Sequence, residues 1–156
     1  MFTPALEYLF TLRIAAGGDR HDFGRTPVGL RAFAAITGGT FEGPRLRGTV
    51  APSGGDWPIV TAPGKYLLDV RAHLVTDAGA AILMTYTGRW NMTPEVAARA
   101  FNPATASGVK PEEHYFRTSI AFQTGAAELA WLNDIIAVGV GHKTPEGVTY
   151  TVFQVA

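Results

Sequence analysis

Apolar and polar residues alternate with a period of two along most of this 156-residue chain. That spacing puts successive side chains on opposite faces of a β-strand. Leu6, Tyr8, Phe10, Leu12 and Ile14 share one face, and Glu7, Thr11 and Arg13 share the other. The pattern predicts further strands over 33–40, 46–50, 66–75, 81–89, 115–123, 135–140 and 148–155. Asp77-Ala78-Gly79 reads as a hairpin turn, with Gly79 supplying the positive φ that such turns require. Thr144-Pro145-Glu146-Gly147 joins the last two strands, with Gly147 expected in the left-handed position. One segment departs from this pattern. Thr93 is a helix N-cap residue, Pro94 suits the first helical position and Glu95 suits the positive end of the dipole. A short helix over 94–101 is predicted, stopped by Asn102-Pro103 and followed by an exposed loop over 103–112. About eight to ten strands with one helical excursion, in a single domain over 1–156, make an all-β barrel or sandwich.

Composition sharpens this picture mainly by exclusion. Hydrophobic residues at 47% against charged residues at 17% exclude a disordered chain. Thirteen basic and thirteen acidic residues leave no net charge, which argues against nucleic acid as a partner. The chain has no cysteine, so thiol catalysis, disulfides and Cys-ligated metals are excluded. His21, His73, His114 and His142 show no metal-ligand spacing, and no metal site is expected. Gly139-Val140-Gly141 lacks the rest of a dinucleotide fingerprint, and no serine lies in a nucleophile elbow, so no cofactor is expected either. No apolar run approaches the roughly 18 residues of a membrane span. The N-terminus lacks a basic leader region, so a cytoplasmic location is expected.

Two groups of words carry a family resemblance. The first is Gly38-Gly39-Thr40-Phe41-Glu42-Gly43-Pro44-Arg45-Leu46-Arg47-Gly48, continuing to Gly54-Gly55-Asp56-Trp57. The second is His114-Tyr115-Phe116-Arg117-Thr118, then Phe122-Gln123-Thr124-Gly125, then Trp131-Leu132-Asn133. With Leu68-Asp69-Val70-Arg71 and Thr76-Asp77-Ala78-Gly79, they resemble the family called domain of unknown function 3237, or uncharacterised protein family 0311. The likeness runs from Leu6 to Val155. It implies an antiparallel β-barrel of the allene-oxide-cyclase type. Related barrels hold a hydrophobic small molecule and steer its cyclisation or coupling without a cofactor. The family itself has no general assigned reaction.

The candidate chemistry lies on the strands. Leu67, Asp69, Arg71 and His73 share one face of the 66–75 strand; Tyr66, Leu68, Val70, Ala72 and Leu74 share the other. Two placements are open. The apolar face fills a plain core with Asp69 and Arg71 in water, or the polar face lines a ligand cavity and the apolar face meets another subunit. The resemblance to cavity-bearing barrels favours the inward placement. Asp69 is then the candidate base, Arg71 an oxyanion partner and Tyr115 a proton donor. Arg117 offers a planar fork for a carbonyl or carboxylate, Asn133 a neutral hydrogen bonder, and Trp57 and Trp131 rigid walls. Asp56 is read as a turn cap or a second base, and Glu42 as a weaker inward acid. The expected function is binding of a hydrophobic, oxygenated small molecule, with isomerase, cyclase or lyase chemistry by acid/base steering. The alternatives are a carrier or sensor, or a structural oligomer. A homo-oligomer is expected wherever the apolar strand face lies outside.

Overall fold

The computed structural model describes residues 1–156, and the alternating pattern becomes nine antiparallel strands in one sheet closed on itself. They are β1 (Leu6–Thr26), β2 (Gly29–Glu42), β3 (Arg47–Asp56), β4 (Ile59–Ala62), β5 (Lys65–Thr76), β6 (Ala81–Met92), β7 (His114–Gln123), β8 (Ala137–Lys143) and β9 (Gly147–Val155). Ring order is β1-β9-β8-β7-β6-β5-β3-β2, and β1–β2 pairing closes it. β4 sits between the same neighbours as β3, pairing Val60 with Leu30 of β2 and Tyr66 of β5. β3 and β4 therefore lie end to end in one lane, so nine strands make an eight-lane barrel. Closure leaves the sheet without free edges.

The barrel has two different ends. At one, the 3₁₀ segment Ala127–Asp134 between β7 and β8 inserts Leu129 and Leu132 into the apolar core. That core contains Phe10, Leu12, Phe41, Leu74, Ile82, Met84 and Phe122. At the other end, the β6–β7 connection carries α1 (Pro94–Ala100), which buries Val96 and Ala100 against the barrel. The helix forms as its sequence requires. Thr93 Oγ1 accepts the Val96 N–H at 3.3 Å, Pro94 fills the first turn, and the Phe101 N–H closes on the Ala97 carbonyl at 3.1 Å. No helix is long and apolar enough to cross a membrane.

The apolar face of β5 is the core face: Leu68, Val70, Ala72 and Leu74 are all buried, and Asp69, Arg71 and His73 are exposed. The inward placement of Asp69 and Arg71 is thereby corrected. Turning two charges into the barrel would place the row of apolar β5 side chains in water, and burial of those chains outweighs any gain from an interior ion pair. The apolar β5 face is therefore interior and does not meet another subunit.

Candidate functional site on the inner wall

Residues paired directly across antiparallel strands share a face, so register identifies the inner wall. Asp56 pairs with Ala34 on one side and with inward-facing Val70 on the other, and Val70 pairs with Tyr86. Asp56 therefore points inward, at the point where β3 stops and Trp57-Pro58 interrupts the lane. The interruption frees the Asp69 N–H, which donates to Asp56 Oδ1 at 3.1 Å, while the Trp57 N–H donates to the Asp69 carbonyl at 2.9 Å. The cap expected of Asp56 is present, but it leaves the carboxyl crowded by the barrel wall with part of its surface still open. Burial raises its pKa from 3.8 to about 7; the nearby Asp69 charge adds to the rise and the Asp69 N–H opposes it. A carboxyl of this acidity exchanges a proton readily at neutral pH.

Across the interior, Tyr86 on β6 and Tyr150 on β9 are buried, and the Tyr86 hydroxyl donates to the Tyr150 hydroxyl at 3.3 Å. Burial pushes both phenols upward, and the charge of Asp56 pushes each further. Both are therefore neutral proton donors beside a titrating carboxyl. Tyr150 has room because Gly139 and Gly141 of β8 lie under its ring; a Cβ on Gly141 would come within 2.8 Å of Tyr150 and 2.9 Å of Phe116.

From the phenol pair an unbroken run of rings leads towards the end that carries α1. Tyr150 packs edge-on to Phe116 at 5.3 Å, Phe116 stacks on Trp90 at 4.7 Å, and Trp90 meets Tyr66 at 5.5 Å. Phe101, just after α1, closes a triangle with Tyr66 at 5.4 Å and Trp90 at 5.3 Å. Within this run Trp90 Nε1, Thr118 Oγ1 and both ring nitrogens of His114 are shielded from water and have no hydrogen-bond partner. Burial, then the charges of His142 and Arg117, lower the pKa of His114, so its imidazole is neutral.

Apart from Asp56, the residues singled out from sequence lie elsewhere. Asp69 and Arg71 form an exposed pair at 3.7 Å on the outer face. Tyr115 and Arg117 are also exposed, with the guanidinium 5.0 Å from the phenol ring centroid. Trp57 lies opposite Asp69 on the outer face and packs on Phe33 at 4.9 Å. Trp131 sits in the 3₁₀ segment beneath the Arg45 guanidinium at 3.5 Å. Asn133 ties that segment to Thr124, accepting its N–H at 2.9 Å and donating to its carbonyl at 3.0 Å. Glu42 is exposed and 3.9 Å from Arg47. These eight residues thus contribute to the outer surface and the plugged end, while the interior polar groups include Asp56, Tyr86, Thr118, Tyr150, His114 and Gln154. For the groups on β6, β7 and β9 the signal was the same alternation, whereas Asp56 follows a Gly-rich stretch without it. Tyr86, Thr118 and Tyr150 stand in inward rows that are mostly apolar, with His114 and Gln154 as further polar members of the β7 and β9 rows.

An antiparallel barrel, plugged at one end and carrying an acid and two phenols on its inner wall, is the class of protein that the geometry defines. The family model described as "Protein of unknown function (DUF3237)" matches residues 4–155. The chain belongs to that family. It is similar to UPF0311 protein RPA1785 of Rhodopseudomonas palustris, with 31% identity over 155 residues, covering 98% of this chain and 99% of the relative. The crystal structure of RPA1785 superposes with a TM-score of 0.89 at 28% identity, covering 100% of both chains. A beta-barrel like protein from Acinetobacter baumannii gives a TM-score of 0.85 at 29% identity, covering 100% of this chain and 98% of the other. An enzyme from Penicillium herquei shares the fold with a TM-score of 0.73 at 22% identity, over 100% of this chain and 97% of that one.

Proposed function

We propose that the barrel binds a hydrophobic, oxygenated small molecule and catalyses a cofactor-independent proton transfer on it, of the isomerase, cyclase or lyase kind. The observation that carries this reading is the Asp56 carboxyl, inward-facing and half-buried with acidity near neutrality, set across from the Tyr86–Tyr150 phenols. In the reaction the Asp56 carboxylate removes a proton from carbon next to a carbonyl. The bonding pair moves into the C–C bond as the carbonyl π pair moves onto oxygen, which takes a hydrogen bond from Tyr150. Return of the proton from Asp56 to a different atom completes an isomerisation, and expulsion of a β-substituent completes an elimination. A distant structural neighbour being an enzyme agrees with this reading. A cytoplasmic location belongs to the same proposal.

The test is deuterium exchange at the α-carbon of 2-tetralone in heavy water, followed by proton NMR. The wild-type protein is expected to accelerate exchange over buffer, with a rate rising through a pH of about 7. Asp56→Asn is expected to remove the acceleration, and Tyr150→Phe to reduce it roughly 10²-fold or more. Acceleration that survives Asp56→Asn would remove Asp56 from the chemistry. A carrier, the second reading, is favoured by the aromatic run and would bind 2-tetralone without exchanging its protons.

A further inference from the structure

Beside the end that carries α1, between the start of β5, the end of β6 and the start of β7, lies a groove of about 540 Å³. His114 lines it, with Lys65, Asn91, Glu113 and Tyr115 among its neighbours. Trp90 is directly behind His114, its ring centroid 6.2 Å away. Trp90 is only 6% exposed, and its Nε1–H has no partner. An indole N–H withdrawn from water and left unpaired is costly, and so is an imidazole with both nitrogens unpaired. Two donor/acceptor groups in this condition, next to a groove, mark a place where a ligand atom completes the bonding. Aromatic surface is exposed nearby. Tyr115 is 53% exposed on the groove, and Phe101 is 45% exposed while packed on Trp90 and Tyr66.

The charges lining the groove do not select an anion. Lys65 is offset by Glu112 and by Glu113, and Glu113 is itself bound by the Arg99 guanidinium. What the groove itself offers is the exposed Tyr115 ring and an imidazole that both donates and accepts, with the unpaired Trp90 donor one layer deeper, behind His114.

We infer that this groove takes a flat, uncharged ring compound bearing an oxygen, which accepts from Trp90 Nε1–H and bonds the His114 imidazole while the ring lies against the exposed aromatic side chains. As a vestibule for substrate the groove rests on the proposed reaction inside the barrel, and it names the class of molecule that reaction would receive. Phe101, which caps α1, packs against the Trp90 ring at 5.3 Å beside this site.

The probe is 2-naphthol, compared with decahydro-2-naphthol, which keeps the hydroxyl but is not flat, and with 2-naphthoate, which is flat but charged. Binding is measured by calorimetry and by ¹⁵N spectra of the indole N–H groups of Trp57, Trp90 and Trp131. The expected result is that 2-naphthol binds about tenfold or more tighter than either comparison compound. The Trp90 signal moves, and those of Trp57 and Trp131 stay. His114→Phe is expected to weaken binding by about fivefold or more, with His114→Gln restoring part of it. Equal affinity for the three compounds, a still Trp90 signal, or no loss in either His114 variant would overturn the inference. Its failure is separable from that of the proposed reaction, since Asp56 is judged by its own titration and by 2-tetralone exchange in the unmodified protein.

Discussion

At the residue scale, position 56 links stability to acidity. A carboxyl whose pKa is raised from 3.8 to about 7 holds its proton more tightly in the folded chain than in the unfolded one. Between those two values the folded state binds more protons, so stability falls as pH rises, and it levels off above the folded value. The slope from one such group is at most about 1.4 kcal/mol per pH unit. Asp56→Asn keeps the acceptor for the Asp69 N–H and removes the charge. The variant is therefore expected to melt above the wild type at pH 8, by roughly 1–3 kcal/mol, and to lose most of that advantage by pH 4. Thermal denaturation at the two pH values checks this, and a variant less stable than wild type at pH 8 would show that burial does not strain the carboxylate. Asp69 and Arg71 give the contrasting case. Their ion pair is exposed at 3.7 Å, so Asp69→Asn and Arg71→Ala are expected to change stability by less than about 1 kcal/mol in urea titrations.

At the scale of elements, period-two alternation made most strands legible, because a half-buried strand must show it. β5, β6 and β7 fall close to the ranges that the pattern predicts, and α1 begins where Thr93 and Pro94 place it. The alternation in β1 stops near Ile14, yet the strand continues to Thr26 with β2 as its partner. The extension carries Gly17-Gly18-Asp19 and several register shifts, so local pattern fails where pairing to a neighbour holds the strand. Gly79 has the positive φ expected of its turn, at +88°. Gly147 is not in that region. It is a glycine because its backbone packs against β1, where a Cβ would lie 3.0 Å from the Ala16 nitrogen. The 3₁₀ segment Ala127–Asp134 has no strand or helix period and was not anticipated. Asn133 fastens it through two hydrogen bonds to Thr124, and Asn133→Ala is expected to cost about 1–3 kcal/mol, measurable by chemical denaturation.

At the scale of the whole molecule, the site depends on which way the sheet curls, and that was the least legible property. Each strand has two faces, and a sequence shows their contrast without showing which is concave. Closing the ring on the apolar faces places Asp69, Arg71, Tyr115 and Arg117 outside. It gathers Asp56, Tyr86 and Tyr150, which lie far apart in sequence, around one interior. The lane shared by β3 and β4 completes the arrangement. Register continues across Trp57-Pro58 without slipping, so Asp56 stays inward at the one break in that wall. Closure also gives the molecule two unlike ends, one filled by the 3₁₀ segment and one carrying α1, and the aromatic run and the His114 groove both belong to the α1 end. The most direct test of this account is the ¹³C titration of the Asp56 carboxyl carbon in the unliganded protein. A midpoint near 7 is the predicted result; a midpoint near 4 would mean a solvated cap and no interior acid.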